Sequence, residues 1–453
     1  MNNNLKKLSA FYLGSLLERG KIDPIIILEY FLSNFRNAKK NERLSFTKIF
    51  KKESFKEAEL SWKRQKKNER LSFFDGIPIV WKDLIDFEGF PAFAGSKLIK
   101  KLRKKENTKN AEIIKIAKKH GLVSLAKTST VEFAFGGIGI NKSCKLPHNL
   151  MFEDQALAPG GSSTGAATAV FSGLAPMAVG TDTAGSVRIP SAWHSLVGFK
   201  PSSKKISTKG VLPLSTTHDS VGTICKSVKD TKILYNILSN MQNKNLRETK
   251  KNIKIGHVEN MNFAFLDDLS KKKIEELYST ISKLGISIKK IKVPEFEEIN
   301  DLISSYGSLV NYEAWEFWKE KIKNNLDALD SNVADRFLIG KKMNQDTVNF
   351  LKKKTLELKK KVFYKLEEYD FFIMPTVALE PPSLRVLANK RSYHYYNSLV
   401  LNNTRAANIF DLCAISIPLL FKARKWLSIS IISKKNNDEN LLDVAEKIES
   451  ILR

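Results

Sequence analysis

Apolar positions along the chain recur with two periods, and the switch between them marks the elements. DPIIILEYFLSNF (23–35) places a proline at a first helical turn and apolar residues at three-to-four spacing, which predicts a helix. The first seventy residues read as helices in this way. GIPIVWKDLID (76–86) then changes to a short continuous apolar run, IPIVW, which predicts a strand ending at Lys82-Asp83. AEIIKIAKKHG followed by LVSLAKT predicts a helix and strand within 107–135. NIKIGHV, SIKKIKV, YDFFIMPT, LCAISIPLL and WLSISIIS read as further strands. The stretch 301–367 reads as mainly helical, and NLLDVAEKIESILR closes the chain as a helix. Helices and strands alternate without a Gly/Ser linker, so we expect one large α/β/α domain. Its central sheet is expected to be mixed, mostly parallel and covered by helices. The octapeptide KKNERLSF occurs at 39–46 and again at 66–73, but two copies do not make a repeat array.

Composition narrows the function classes. The net charge of +27 invites a polyanion partner. The lysine runs KKLRKK and LKKKTLELKKK, however, are scattered and lack interleaved aromatics, so they read as solvated helix faces with no direct nucleic-acid contact. The longest apolar runs, such as LCAISIPLLF, are about ten residues long, too short to span a bilayer. The opening MNNNLKKLSAFYLGSLLERG is interrupted by charge too early for a secretory h-region. Three cysteines without CxxC spacing exclude a disulfide framework or zinc site and fit a cytoplasmic protein. Six histidines without HxH or HExxH leave no metal site, and no motif asks for a cofactor.

The segment 158–200 departs from this lysine-rich background, being dominated by Gly, Ala, Ser and Thr. GGSSTGAAT has the G-x-x-x-x-G frame of a phosphate loop, but alanines stand where Lys-Ser/Thr are required. The same stretch contains G-x-S-x-G around Ser163, a hydrolase elbow that would need the late His394, whose surroundings carry no strand-end loop signal. A close-packed helix N-terminus is compatible with either reading. Ser162 and Ser186 both sit in small-residue loops of this segment and could form a hydroxyl relay. Lys82, at the end of an apolar strand, could serve as its base if burial lowers its pKa.

GIPIVWKDLID, KTSTVEFAFGG, PGGSSTGAATAV and VGTDTAGSVRIPSAWHSLVGFKPS together resemble the amidase signature family. The resemblance continues through STKGVLPLSTTHDSVGTICKSV, YDFFIMPT and NIFDLCAISIPLLF, and so spans nearly the whole chain. It implies one amidase signature domain over 1–453: an N-terminal helical part (1–70), a catalytic core (71–235), a substrate-pocket helical part (236–400) and C-terminal strands with a helix (401–453). It also implies a triad of Lys82, Ser162 and the nucleophile Ser186, with a cis peptide at Gly161-Ser162. Backbone N–H groups of Thr183, Ala184, Gly185 and Ser186 would form an oxyanion hole. Ser129, Thr130 and Gly161 would touch substrate. The pocket is expected from 129–135 and 305–400, with Tyr312, Trp315 and Phe317 as candidates for an apolar wall. Asp182 and Arg188 match family positions and read as braces of the loop.

The activity implied is hydrolysis of a small carboxylic amide through an acyl-enzyme on Ser186, with no cofactor and no membrane; a homodimer is compatible. The A subunit of the glutamyl-tRNA(Gln)/aspartyl-tRNA(Asn) amidotransferase, working with partner subunits, is the alternative. SVRIP in place of S-I-R-Q-P, and a missing R-Y-D-G-x-R-Y-G stretch, weigh against it. A non-catalytic binding relative is a third reading, opposed by the intact triad. Ala184-Gly185 replaces the usual Gly-Gly, which matters only if position 184 requires positive φ. INKSCKLPHNLMFEDQ and RKWLSISIIS also depart from the family's loops.

Overall fold

The computed structural model describes residues 5–152, 154–240, 252–261, 265–419 and 426–452. The end of the LCAISIPLLF run and the first two residues of RKWLSISIIS lie outside the described residues, as does Glu153 of INKSCKLPHNLMFEDQ. Eleven strands form one sheet: β1 (Phe46–Ile49), β2 (Pro78–Lys82), β3 (Val123–Thr128), β4 (Met177–Asp182), β5 (Val197–Lys200), β6 (Ser220–Cys225), β7 (Lys254–Val258), β8 (Ser287–Ile291), β9 (Phe371–Pro375), β10 (Cys413–Pro418) and β11 (Ser428–Ser433). Their order across the sheet is β1-β3-β2-β4-β6-β5-β10-β11-β9-β7-β8.

The sheet is mixed, as expected, but it is not mostly parallel. Four neighbouring pairs are parallel, β2 with β3 and β4, and β7 with β8 and β9. The other six are antiparallel and fill the middle and one edge. A helical crossover between neighbours gives parallel strands, and this describes β2–β3 and β7–β8. Between β5 and β6, and between β10 and β11, no helix is described to carry the chain back over the sheet, and each pair runs antiparallel.

Burial follows position in the sheet. Every residue of β2, β3, β4, β5, β6, β9, β10 and β11 is buried, which is why those strands read as continuous apolar or small-residue runs. The edge strands β1 and β8 are partly exposed and carry Lys48, Lys289 and Lys290, charges that discourage pairing with another chain. The helix Pro24–Asn37 starts as its sequence indicates: Asp23 caps it by accepting from the Ile26 N–H at 2.8 Å, and Ile27, Leu28, Phe31 and Leu32 face the core.

The helix Thr164–Phe171 explains the small-residue segment. It packs against β2, β3, β4 and β6, and all but its last residue is buried. A Cβ on Gly165 would lie 2.3 Å from the Ser45 carbonyl oxygen, so the helix can sit this close only with glycine there. Its N-terminus is thereby held beside the C-terminal ends of β2 and β4, the edge of a parallel sheet where ligands commonly bind.

Ile431 lies fully buried in β11, in register with Ile415 of β10 and Ile373 of β9. Ile431→Ala is expected to lower stability by about 2–5 kcal/mol, seen as a reduced urea midpoint with an unchanged slope.

Candidate active site

Lys82 is the last residue of β2 and is fully buried. Its Nζ lies 2.7 Å from Ser162 Oγ and 2.8 Å from Thr181 Oγ1 on the neighbouring β4. No carboxylate among the described residues forms an ion pair with it. Burial pushes the amine down to about 7, against the opposing pull of Asp182 and Asp219. An ammonium without water or counter-ion is costly, and losing the proton relieves that cost.

Ser162 is also fully buried, on a cis Gly161-Ser162 peptide. The loop is held on both sides: Gly160 N–H donates to Ile138 O, Gly161 N–H to Gly137 O, and Thr130 Oγ1 to Ser162 O at 2.9 Å. Ser163 then donates its N–H to the Ser186 carbonyl at 3.1 Å, which ties the two serine loops together. Ser186 is 5% exposed, faces a cavity of about 230 Å³, and has no hydrogen bond to Ser162 Oγ among the described residues.

The 183–187 loop is built around one carboxylate. Asp182 Oδ1 accepts from the Gly185 N–H at 2.8 Å, and Oδ2 accepts from the Val187 N–H at 3.1 Å. Arg188 grips both oxygens, Nη2 to Oδ1 at 3.0 Å and Nε to Oδ2 at 3.1 Å, with neither side chain exposed. Asn408 donates to the Asp182 carboxylate and carbonyl, each at 2.9 Å. Burial alone would push the Asp182 carboxyl up. The Arg188 guanidinium outweighs it and holds the group well below the usual carboxylate range. Both residues brace the loop, as their positions implied.

This geometry corrects the implied oxyanion hole. The Gly185 N–H is already spent on Asp182, so it is not free for a ligand. Among the described residues, the N–H groups of Thr183, Ala184 and Ser186 donate to no protein acceptor. Ala184 does not have positive φ; Gly185 does, at 131°. A Cβ on Gly185 would lie 2.2 Å from Thr404 Oγ1, the hydroxyl that donates to the Ala184 carbonyl at 2.6 Å. The glycine that the loop needs is therefore the second of the pair, and alanine fits at the first.

Three further expectations are corrected. Ser129 and Thr130 do not line the Ser186 cavity. They line a separate cavity of about 880 Å³ and support the loops, Ser129 Oγ donating to Leu44 O at 2.7 Å. Gly161 is enclosed by Gly139 and Val131 and lies outside the Ser186 cavity. Trp315 packs into a core with Phe133 and Phe337, while Phe317 is exposed, and neither lines the cavity; nor does Tyr312. The apolar wall is instead Phe135, Leu214, Val310, Ile339 and Leu401. The sequence reading missed Thr181 and Asn408. Asn408 was within reach because it opens the NIFDLCAIS stretch, whereas nothing in the sequence aims Thr181 at Lys82.

Residues 27–442 match the family model described as Amidase. The chain belongs to the amidase family. Among similar amidase-family proteins, the 2-amino-5-chloromuconic acid deaminase of Comamonas testosteroni is 27% identical over 387 residues, covering 83% of this chain and 82% of that one. The mandelamide hydrolase of Pseudomonas putida is 28% identical, covering 83% and 78%. A crystal structure of an amidase superposes with a TM-score of 0.87 at 22% identity over 98% of this chain and 100% of that one, which shows a shared fold. Among the described residues of this amidase, no group of three His, Cys, Asp or Glu could hold a metal ion, and no helix is long and apolar enough to cross a membrane.

Asp182→Asn removes the carboxylate that, among the described residues, alone pairs with the buried Arg188. It is expected to destabilise the fold by about 3–5 kcal/mol, read from denaturant unfolding, because it leaves a buried cation unpaired.

Proposed function

We propose that this amidase hydrolyses the C–N bond of a small carboxylic amide, with Lys82, Ser162 and Ser186 as its triad. The observation that carries the reading is Lys82: a fully buried amine without an ion-pair partner among the described residues, 2.7 Å from a serine whose loop is tied to that of Ser186. Neutral Lys82 takes the proton of Ser162, Ser162 takes that of Ser186, and Ser186 Oγ attacks the amide carbonyl. The developing oxyanion meets the N–H groups of Thr183, Ala184 and Ser186. Losing one such donor costs about 3–4 kcal/mol of transition-state stabilisation. Collapse of the tetrahedral species breaks the C–N bond as Ser162 returns a proton to the leaving nitrogen. Water, deprotonated by the same relay, then releases the acid from Ser186. The three free cysteines fit a cytoplasmic setting.

The amidotransferase A-subunit reading would keep the same triad and deliver ammonia to a partner. Ammonia release from a panel of simple amides by the isolated chain tests the proposal. Release from glutamine that appears only when partner subunits are added would favour the alternative. Ser186→Ala is expected to cut turnover by about 10³-fold or more. Full turnover by that variant would overturn the triad. A fluorophosphonate probe is expected to label the wild-type chain at Ser186 and leave the variant unlabelled.

The base must be neutral to act, and Lys82 is held at about 7. Below that pH it is protonated and cannot accept from Ser162; above it the relay is open. We therefore expect kcat/KM to rise with pH through a midpoint near 7 and then level off. A flat profile between pH 6 and 8 would contradict Lys82 as the base.

A further inference from the structure

Two arginines line the Ser186 cavity, Arg336 from the helix Ser331–Lys342 and Arg405 from the helix Lys390–Ile409. Arg405 is 6% exposed; its Nη2 donates to Ser398 O at 2.9 Å and Asn402 Oδ1 at 3.2 Å, and its Nε is buried without a partner. Arg336 stacks over the Phe135 ring at 5.5 Å. Its Nε is also buried and unpartnered, and none of its side-chain N–H groups donates to a protein acceptor among the described residues. Neither arginine has a carboxylate partner among the described residues, and no Asp or Glu lines the cavity.

The carboxylates that act on Arg336, Asp330 and Asp335, are committed elsewhere. Asp330 accepts from the Lys142 and Asn332 N–H groups, and Asp335 is held by Lys390 and His394. The two cations also oppose each other: burial, and then the charge of Arg336, lower Arg405 to about 10. Like charges held together out of water are unfavourable unless an anion joins them. The choice of residue is informative too, in a chain whose cations are mostly lysine. Arginine offers a planar fork of donors that matches a carboxylate, whereas lysine is a point charge.

We propose that Arg336 and Arg405 form a carboxylate-binding subsite, so that the substrate is the monoamide of a small dicarboxylic acid with no amino group. This rests on the amide hydrolysis proposed above and adds which amide. One carbonyl sits at Ser186, and the distal carboxylate completes the guanidinium pair. An α-ammonium, as in glutamine or asparagine, would find no carboxylate in the cavity and two cations against it. Hydrolysis breaks the C–N bond, takes up one water, and leaves ammonia and the dicarboxylate.

The test compares kcat/KM for succinamate and glutaramate with that for butyramide and glutamine, using the full chain. We expect the anionic amides to be preferred at least tenfold over butyramide, and glutamine to be poorer than both anionic amides. Arg405→Gln and Arg336→Gln are expected to lower the anionic-to-neutral ratio at least tenfold, mainly through KM, with Arg405→Lys retaining part of it. Calorimetric binding of succinate and glutarate to Ser186→Ala reads the subsite without catalysis. Hydrolysis indifferent to charge, or a preference that survives both glutamine variants, overturns the subsite and leaves the proposed function standing. Arginine-dependent dicarboxylate binding in a chain that hydrolyses no amide would do the reverse.

Discussion

Burying an amine at the end of β2, with no ion-pair partner among the described residues, is the constraint from which the rest of the site follows. Lys127, at the neighbouring end of β3, makes the contrast. It is equally shut off from water, but Asp83 lies 3.3 Å away, and the two share an ion pair. Burial lowers Lys127 and raises Asp83, while each charge pulls the other back toward ionisation. Lys82 has hydroxyls where Lys127 has a carboxylate. The two acids that reach it electrostatically, Asp182 and Asp219, are tied to other donors. Asp182 is gripped by Arg188; Asp219 accepts from Thr183 Oγ1 at 2.5 Å and from the Leu214 and Ser215 N–H groups. Two lysines in adjacent strands of one sheet thus meet different ends, an ion pair in one and a base near neutrality in the other. Partner chemistry decides between them, since burial is common to both.

The same economy shapes the loop that carries Ser186. A chain turning between β4 and the helix Arg188–Ala192 must place several N–H groups somewhere. Asp182 absorbs those of Gly185, Val187 and Arg188, leaving those of Thr183, Ala184 and Ser186 without a protein acceptor among the described residues. Splitting the donors in this way lets the loop be rigid and still offer free hydrogen-bond donors. Preorganisation of this kind makes such a site effective, since the dipoles need not reorient when charge develops. Thr404 and Asn408 secure the loop from the helix Lys390–Ile409, which therefore supplies both the wall of the cavity and the clamp on the loop.

Much of this was legible in the sequence, and the boundary of legibility is physical. Strands buried on both faces announce themselves as continuous runs, so β2, β3, β9, β10 and β11 were visible in IPIVW, LVSLAKT, FFIMP, CAISIP and SISIIS. That Lys82 lies beside Ser162, and the Ser162 loop beside that of Ser186, was expected from the motifs in which they stand. The sheet's antiparallel middle was not, because β5 pairs with β10 across more than two hundred residues and no local period encodes that choice. Gly185 was assigned to the wrong partner for a related reason: a backbone donor looks free until a side chain three residues earlier is seen to reach it. Arg405 carried no signal at all, since a lone arginine on a helix reads as solvated, and only the tertiary fold reveals that it shares a cavity with Arg336.

That pairing bears on the base as well as on the substrate. In a site this dry, charges act over longer distances than in water. A substrate anion entering alone would favour protonated Lys82 and close the relay at the moment of binding. An anion neutralised by a guanidinium pair brings little net field with it. Burial alone lowers Lys82, against the pull of Asp182 and Asp219. A carboxylate bound against the arginines leaves that burial in force, so the amine can remain the base proposed for it with substrate in place.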